Sequence, residues 1–572
     1  MEKILKFFFY NLIIILLIGY LYIFNISNKE TKIMYLASST NEVKVYTLSN
    51  NIRNEKTLLE SKKLPRGTKI KIIKNNKITI KGKNYHLIKL NNNNYYIEDI
   101  NLSKNYNEVV LENKIYIKAA TSILKEDNSI LGLAKKGEEF KVLGFDYLNK
   151  DGTVNKYTIE KEFEIGKIYG QYTAYTKEEA LTNYMASIYD PIHSKVKNPY
   201  GGGEAIELDF YPNEKPNFKN NTMPTSVYSL YLNCHKSTID NIDSYIEFAK
   251  TTNINAFVID IKDNESPAYP AKIFKTLSPT NYKKAINSYD GYKEAIRKLK
   301  EANFYVIGRI TTFKDNYFVK DNQEVAILDK NTNKPYLHNG SYWPSPYNRD
   351  VWYFNVELAK EAVEEFGFNE INFDYVRFPD KMNKVDNIID LKNTYNESKV
   401  QAIQRFISYA RDSLHELNTY ISIDVFGETT NSTYTTAYGQ YWPAISNVSD
   451  VICAMPYPDH FASGSYGLKK PWNEPYKLMY YWGLAANDRQ KETTTKAKVR
   501  TWIQAYDVMK YVDKNGIKYN DKEIEAQIRG LYDANIMDGY ITWLSNSNLE
   551  KYKSQANAFK IDYRKEYLEK NE

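Results

Sequence analysis

The stretch EINFDYVRFPD, Glu370 to Asp380, alternates like a strand as far as Phe373, then presents Asp374, Tyr375 and Arg377 together before Pro379 stops it. A second apolar run, YISIDVFG, carries Asp424. A carboxylate inside such a run would be an unpaired buried charge unless it had a use. Two carboxylates placed across one bond are what hydrolysis of a glycoside requires, one giving a proton and the other remaining an anion. Arg377 is suited to holding a neighbouring carboxylate ionised by charge and paired hydrogen bonds, while burial raises the pKa of the other acid. Asp374 and Asp424 are therefore the expected catalytic pair.

Other runs end in polar groups of related chemistry. VIDIKDNESPAYP offers Asp260, Lys262 and Asp263, and FYVIGRITTF offers Arg309. DVICAMPYPDHF offers Tyr457, Asp459 and His460; VRTWIQAY offers Gln504 and Tyr506; GYITWLSNS offers Trp543, Ser545 and Asn546. Asp260, Asp263, Arg309, Tyr375, Arg377, Tyr457, His460, Gln504 and Trp543 are the expected substrate contacts, the aromatic members supplying faces for the apolar side of a sugar ring. Glu428 stands in reserve as a proton donor. Plainer roles compete: Asp374 could pair with Arg377 at a rim, Asp260 and Asp263 could pair with Lys262, and His460 could pack against Tyr457.

These residues need elements to bring them together. From Ser226 to Lys560 strand-like runs alternate with amphipathic helical ones, giving eight strand–helix units. That number and length predict an α/β fold of the (β/α)8 TIM-barrel type, in which the ends of the strands line one mouth. A doubly wound open sheet is the alternative, and it lacks a glycine-rich phosphate turn after any strand.

The motifs VIDIKDNESPAYP, EINFDYVRFPD, SIDVFG, GQYWPAISNVSDVICAMPYPDHF, RTWIQAY and GYITWLSNS resemble the bacterial putative glycosyl hydrolase domain family over about Ser226 to Ser547. The resemblance implies a TIM barrel related to the amylase-like glycosidases, with a strand-four aspartate as nucleophile or base. That role would fall on Asp374. The family pattern also places an aspartate at Asp424, whereas the resemblance leaves the proton donor open. MPYPDHF departs from the family's usual Tyr-Pro-Ser-His by carrying Asp459 at the serine position.

Ahead of the barrel the texture differs. Residues 42–103 and 108–175 read as short strands with Gly, Asn and Pro punctuation, the second a degenerate copy of the first. The first resembles a bacterial SH3-like domain, whose members often bind cell-wall peptides; spacers are the competing reading. Residues 176–225 form a linker, and 226–560 the barrel. In residues 1–28, the uncharged run Phe7 to Ile26 follows Lys3 and Lys6. It has about the ~20 residues that span a bilayer, with the remainder of the chain outside the cell. A cleaved signal, leaving a secreted protein, is the alternative.

Composition narrows the partners. The 77 basic and 70 acidic residues give a net charge of +7 spread along the 572-residue chain, with no basic stripe interleaved with aromatics, which argues against nucleic acid. Six scattered histidines and two isolated cysteines lack metal-ligand spacing, so no metal and no cofactor is expected. The 52 tyrosines, against 24 Phe and 7 Trp, suit sugar surfaces, although an AT-rich gene accounts for part of the excess. The sequence thus predicts a membrane-anchored extracellular glycoside hydrolase acting on a cell-wall or capsular polysaccharide. A non-catalytic carbohydrate- or wall-binding protein on the same scaffold is the alternative.

Overall fold

The computed structural model describes residues 13–19, 31–38, 40–50, 56–91, 93–106, 114–182, 184, 208–430 and 433–571. The chain divides into two compact units, one ending at Thr182 and the other running from Asn183 to Glu572, apart from a small exchange at residues 128–130.

In the larger unit eight parallel strand positions form a nearly closed barrel. They are β1 (Val227–Leu232), β2 (Ala256–Asp263), β3 (Tyr305–Thr311), β4 (Glu370–Asp374), β5 (Tyr420–Phe426), β6 (Val451–Met455), β7 and β8 (Gly539–Trp543). β7 is split: Lys498–Val499 pairs with β6, Thr501–Gln504 pairs with β8, and Arg500 is the step between them. β1 pairs with both β2 and β8, which brings the two ends of the chain of strands together.

Strands such as AFVIDIKD are almost wholly buried, as parallel strands covered on both faces must be. Alternate residues, among them Val258, Ile307, Val451, Trp502 and Ile541, point inward and fill the barrel. At its floor Arg500 donates to Glu370 (2.7 Å), and the Tyr305 hydroxyl donates to the same carboxylate (3.0 Å). Both charges are fully buried, so each is tolerated only because of the other.

The outer helices include α1 (Ile242–Lys250), α2 (Tyr289–Glu301), α3 (Arg349–Phe366), α4 (Lys399–His415), α5 (Trp442–Val448), α6 (Pro475–Lys491) and α7 (Asp521–Asp533). Their limits follow local chemistry. Ser288 and Asn348 cap the starts of α2 and α3, and Ser398 with Gln401 forms a capping box at α4. Gly367, left-handed at φ 71°, ends α3 and turns the chain into β4.

The smaller unit holds two seven-stranded antiparallel sheets, Thr31 to Ser103 and Lys114 to Ala174, each around its own apolar cluster. Arg66, buried between them, donates to the carbonyls of Ser38 and Gly152 and so ties the sheets together.

The expected membrane span, Phe7 to Ile26, lies mostly outside the described residues, of which 13–19 are helical. Among the described residues no helix is long and apolar enough to cross a membrane.

Candidate active site

The ladder between β3 and β4 pairs Thr311 with Asp374, and that between β4 and β5 pairs Phe373 with Ile423. One residue further along, Asp374 and Asp424 stand side by side on adjacent strands, about 5 Å apart at the backbone. Two-residue alternation turns both side chains to the barrel interior at its carboxyl end.

The two acids meet opposite surroundings. Asp374 accepts from Arg309 through Nη2 (2.6 Å) and Nε (3.2 Å), and its other oxygen accepts the Tyr375 backbone N–H (2.6 Å). Tyr375 reaches that position with a left-handed backbone, φ 53°, a strained conformation for an aromatic residue, of the kind found where a site fixes its geometry. Asp424 is closed in at 1% exposure. Its Oδ1 accepts from the Trp502 indole (2.7 Å) and the Asn372 amide (2.8 Å), while its Oδ2 has no partner. Burial, and next the Asp374 charge, push its carboxyl well above the usual range. One carboxylate is thus gripped by a cation, while burial disfavours the charged form of its neighbour, which keeps an unused oxygen.

Arg309 organises the rest. Beyond Asp374 it donates to Asp260 (2.7 Å), whose second oxygen accepts from the Tyr231 hydroxyl (2.5 Å). Burial raises the Asp260 carboxyl to about 6, although Arg309 opposes the change. Asp263, 3.9 Å from Arg309, is the more open acid; it accepts from the Thr311 hydroxyl and the Asn264 backbone N–H. Burial acts against its charge, but Arg309 and these donors outweigh it and keep the carboxyl below the usual range. The guanidinium lies against the adjacent rings of Trp543 (5.4 Å) and Tyr231 (5.8 Å) and is itself almost fully buried.

Two expected roles change. The guanidinium holding Asp374 is that of Arg309, on the neighbouring strand, and not that of Arg377. Arg377 instead donates to the Phe378 carbonyl and lies against the rings of Phe426, Tyr375 and Trp343 at 4.6, 4.9 and 5.1 Å. Gln504 is fully buried and is spent on the loops: it accepts from the Asp459 N–H and donates to the Tyr506 carbonyl.

The other expected contacts fall around the same mouth. Tyr457 is buried beside His460 (5.1 Å) and Tyr506 (6.1 Å), and His460 is exposed. Asp459 accepts from the Tyr506 hydroxyl (2.7 Å), so the acid at the family's serine position braces the loop after β7. Lys262 points away from the mouth, into a buried pair with Asp315 (2.8 Å), and does not pair with Asp260 or Asp263. Among the described residues no group of His, Cys, Asp and Glu could hold a metal ion.

Sequence reading missed Asn372, Trp502, Tyr231 and Lys314. The first two were within reach, since each lies two residues before a marked position and so shares its face. Lys314, half-buried over the Tyr375 ring at 5.0 Å, sits among Asp263, Asp374 and Asp380. Burial lowers its pKa against those charges.

A parallel barrel with two unlike acids side by side at its carboxyl end is an arrangement on which glycoside hydrolases are built. The family profile described as "putative glycosyl hydrolase domain" matches residues 229–549, more than half of the chain, and the chain belongs to that family. None of the curated proteins matches it. Among solved structures it is similar to a hypothetical protein from Ruminiclostridium thermocellum, at 30% identity over 34% of this chain and 97% of that one, TM-score 0.29. It is also similar to the glycoside hydrolase domain of PgaB (BpsB) from Bordetella bronchiseptica, at 11% identity over 59% of this chain and all (100%) of that one, TM-score 0.44. A third is the spore cortex-lytic enzyme SleL from Bacillus megaterium, at 11% identity over 59% and 75% of the two chains, TM-score 0.34.

Proposed function

We propose that this glycoside hydrolase cleaves a cell-wall or capsular polysaccharide outside the cell, anchored through Phe7 to Ile26, with Asp374 and Asp424 as the working pair. The observation that carries the assignment of the pair is the contrast between neighbours: Asp374 in the fork of Arg309, Asp424 closed in without a cation and with Oδ2 unused. In this reading Asp374 faces the developing positive charge of the sugar, and Asp424 gives the proton to the departing oxygen. Sugar faces would lie on Tyr375 and Trp543. The apolar run after two lysines supports the anchor, and the SH3-like pattern of residues 42–103 supports attachment to the wall.

The test is incubation of the full chain with bacterial wall and capsule glycans, scoring new reducing ends. The proposal expects ends from at least one polymer and none with Asp374→Asn. Binding to a polymer without new ends would instead favour a carbohydrate-binding protein. Cell fractionation tests the anchor: full-length protein in the medium, beginning after Ile26, would contradict it.

A further inference from the structure

Outside the mouth, the segment after β6 and the first turns of α6 carry a run of aromatic rings that the catalytic reading does not use. Phe461 meets Tyr466 at 6.0 Å between ring centres, and Tyr466 stacks on Tyr481 at 6.4 Å with 20° between planes. Tyr481 meets Tyr480 at 5.6 Å, and Tyr480 lies parallel to Tyr476, within 3°, at 6.2 Å. The run starts beside the site: Phe461 follows His460, which packs on Tyr457.

None of these rings belongs to the core. Tyr476 and Tyr481 are exposed, as is Leu484 one turn below, and Phe461, Tyr466 and Tyr480 are half-buried. A folded chain normally buries such rings, and an exposed apolar patch of this kind marks a binding surface. The backbone is shaped to present one of them. Tyr466 is left-handed, φ 52°, between Gly464 at 93° and Gly467 at 75°, so three of four consecutive residues adopt a conformation costly for side chains. This turn sets the Tyr466 ring against Tyr481. Tyr476 is fixed from the other side, its hydroxyl donating to Asp533 on α7 (2.8 Å).

We infer that this ribbon, Phe461–Tyr466–Tyr481–Tyr480–Tyr476, is a second carbohydrate-binding surface, which takes the polymer chain as it leaves the barrel mouth. The occupant is a polysaccharide because the ribbon continues from the mouth and is built of flat apolar faces edged by hydroxyls, which match the two kinds of surface on a pyranose ring. Charged side chains do not form the ribbon, so the recognised feature is the ring face and not an acidic or basic substituent. The inference rests on the proposed polysaccharide substrate.

The test uses the full chain and three proteins: wild type, Tyr466→Ser/Tyr480→Ser/Tyr481→Ser, and the same three positions changed to Phe. Each is assayed for new reducing ends on purified cell-wall sacculi and soluble capsule polysaccharides, and on two- to four-sugar fragments of whichever polymer the wild type cleaves. Each stacked ring contributes about two- to tenfold, so the Ser variant, which loses three, is expected to lose roughly 10- to 1,000-fold in kcat/KM on polymer, mostly in KM. Its turnover of the short fragments stays at the wild-type level, and the Phe variant keeps polymer activity. Equal kcat/KM of wild type and Ser variant on polymer would overturn the inference while leaving the polysaccharide reading intact. An equal loss on fragments and polymer would overturn it too, by showing a general defect. A wild type inactive on every polymer would overturn the polysaccharide reading and the ribbon with it.

Discussion

Replacing Arg309 with Met tests whether one guanidinium holds the site together. Three charge-assisted hydrogen bonds go, two to Asp374 and one to Asp260, so two buried carboxylates lose the cation bonded to them, Asp374 keeping only the nearby charge of Lys314. Removing one partner of a buried pair costs about 3–5 kcal/mol, and methionine fills much of the space that the arginine leaves against Tyr231 and Trp543, so the cavity term is small. The loss depends on pH. Asp260 already has its carboxyl raised, from 3.8 to about 6, with Arg309 pulling downward. Such a group favours the fold below its unfolded pKa and loses that contribution as pH rises through the folded one. Without Arg309 its folded pKa climbs further, so the penalty of the substitution is large at pH 7.5 and shrinks at pH 5, where the acid is neutral. Urea unfolding of both proteins at the two pH values, followed by tryptophan fluorescence from the larger unit, measures the difference. A destabilisation under about 1 kcal/mol at pH 7.5, or one that is the same at pH 5, would refute the reasoning.

Further consequences concern neighbouring groups. Asp260→Asn should flatten the fall in wild-type stability between pH 4 and about 6, a contribution of up to ~3 kcal/mol; pH-dependent unfolding checks it. Trp502→Phe removes a donor that favours the Asp424 anion, so the basic limb of the kcat–pH profile should move upward. Glu370→Ala strands Arg500 at the barrel floor and should cost about 3–5 kcal/mol in unfolding experiments, while KM hardly changes. The piece from residue 183 onward should keep full turnover of short oligosaccharides, because no residue of the mouth lies before it; a folded but inactive piece would contradict this.

The barrel was legible because its strands are continuous apolar runs that alternate with amphipathic helical ones. The split of β7 at Arg500 was not, since VRTWIQAY reads as one strand and only the need to meet two neighbours divides it. Asp374 and Asp424 could be marked because charge is anomalous in an apolar run. Which cation serves Asp374 could not, because Arg377 is three residues away in sequence while Arg309 is across a strand ladder. Gln504 shows the reverse error: a polar residue at a strand end suggests a ligand, yet its amide is consumed by the Asp459 N–H and the Tyr506 carbonyl. Asn372 and Trp502 look like ordinary strand residues until the inward face is fixed, and then they are what Asp424 touches.

The central claim is that Asp374 works as an anion and Asp424 as the proton donor. It is tested most directly by comparing Asp374→Asn and Asp424→Asn on the polymer that the wild type cleaves and on an aryl glycoside of the same sugar, whose leaving group needs no proton. Loss of a positioned acid or base costs about 10²–10⁴ in rate. Both variants should lose that much on polymer, Asp424→Asn should recover most of its rate on the aryl glycoside, and Asp374→Asn should remain inactive on both. Near-normal turnover by Asp374→Asn, or recovery by Asp374→Asn and not by Asp424→Asn, would contradict it.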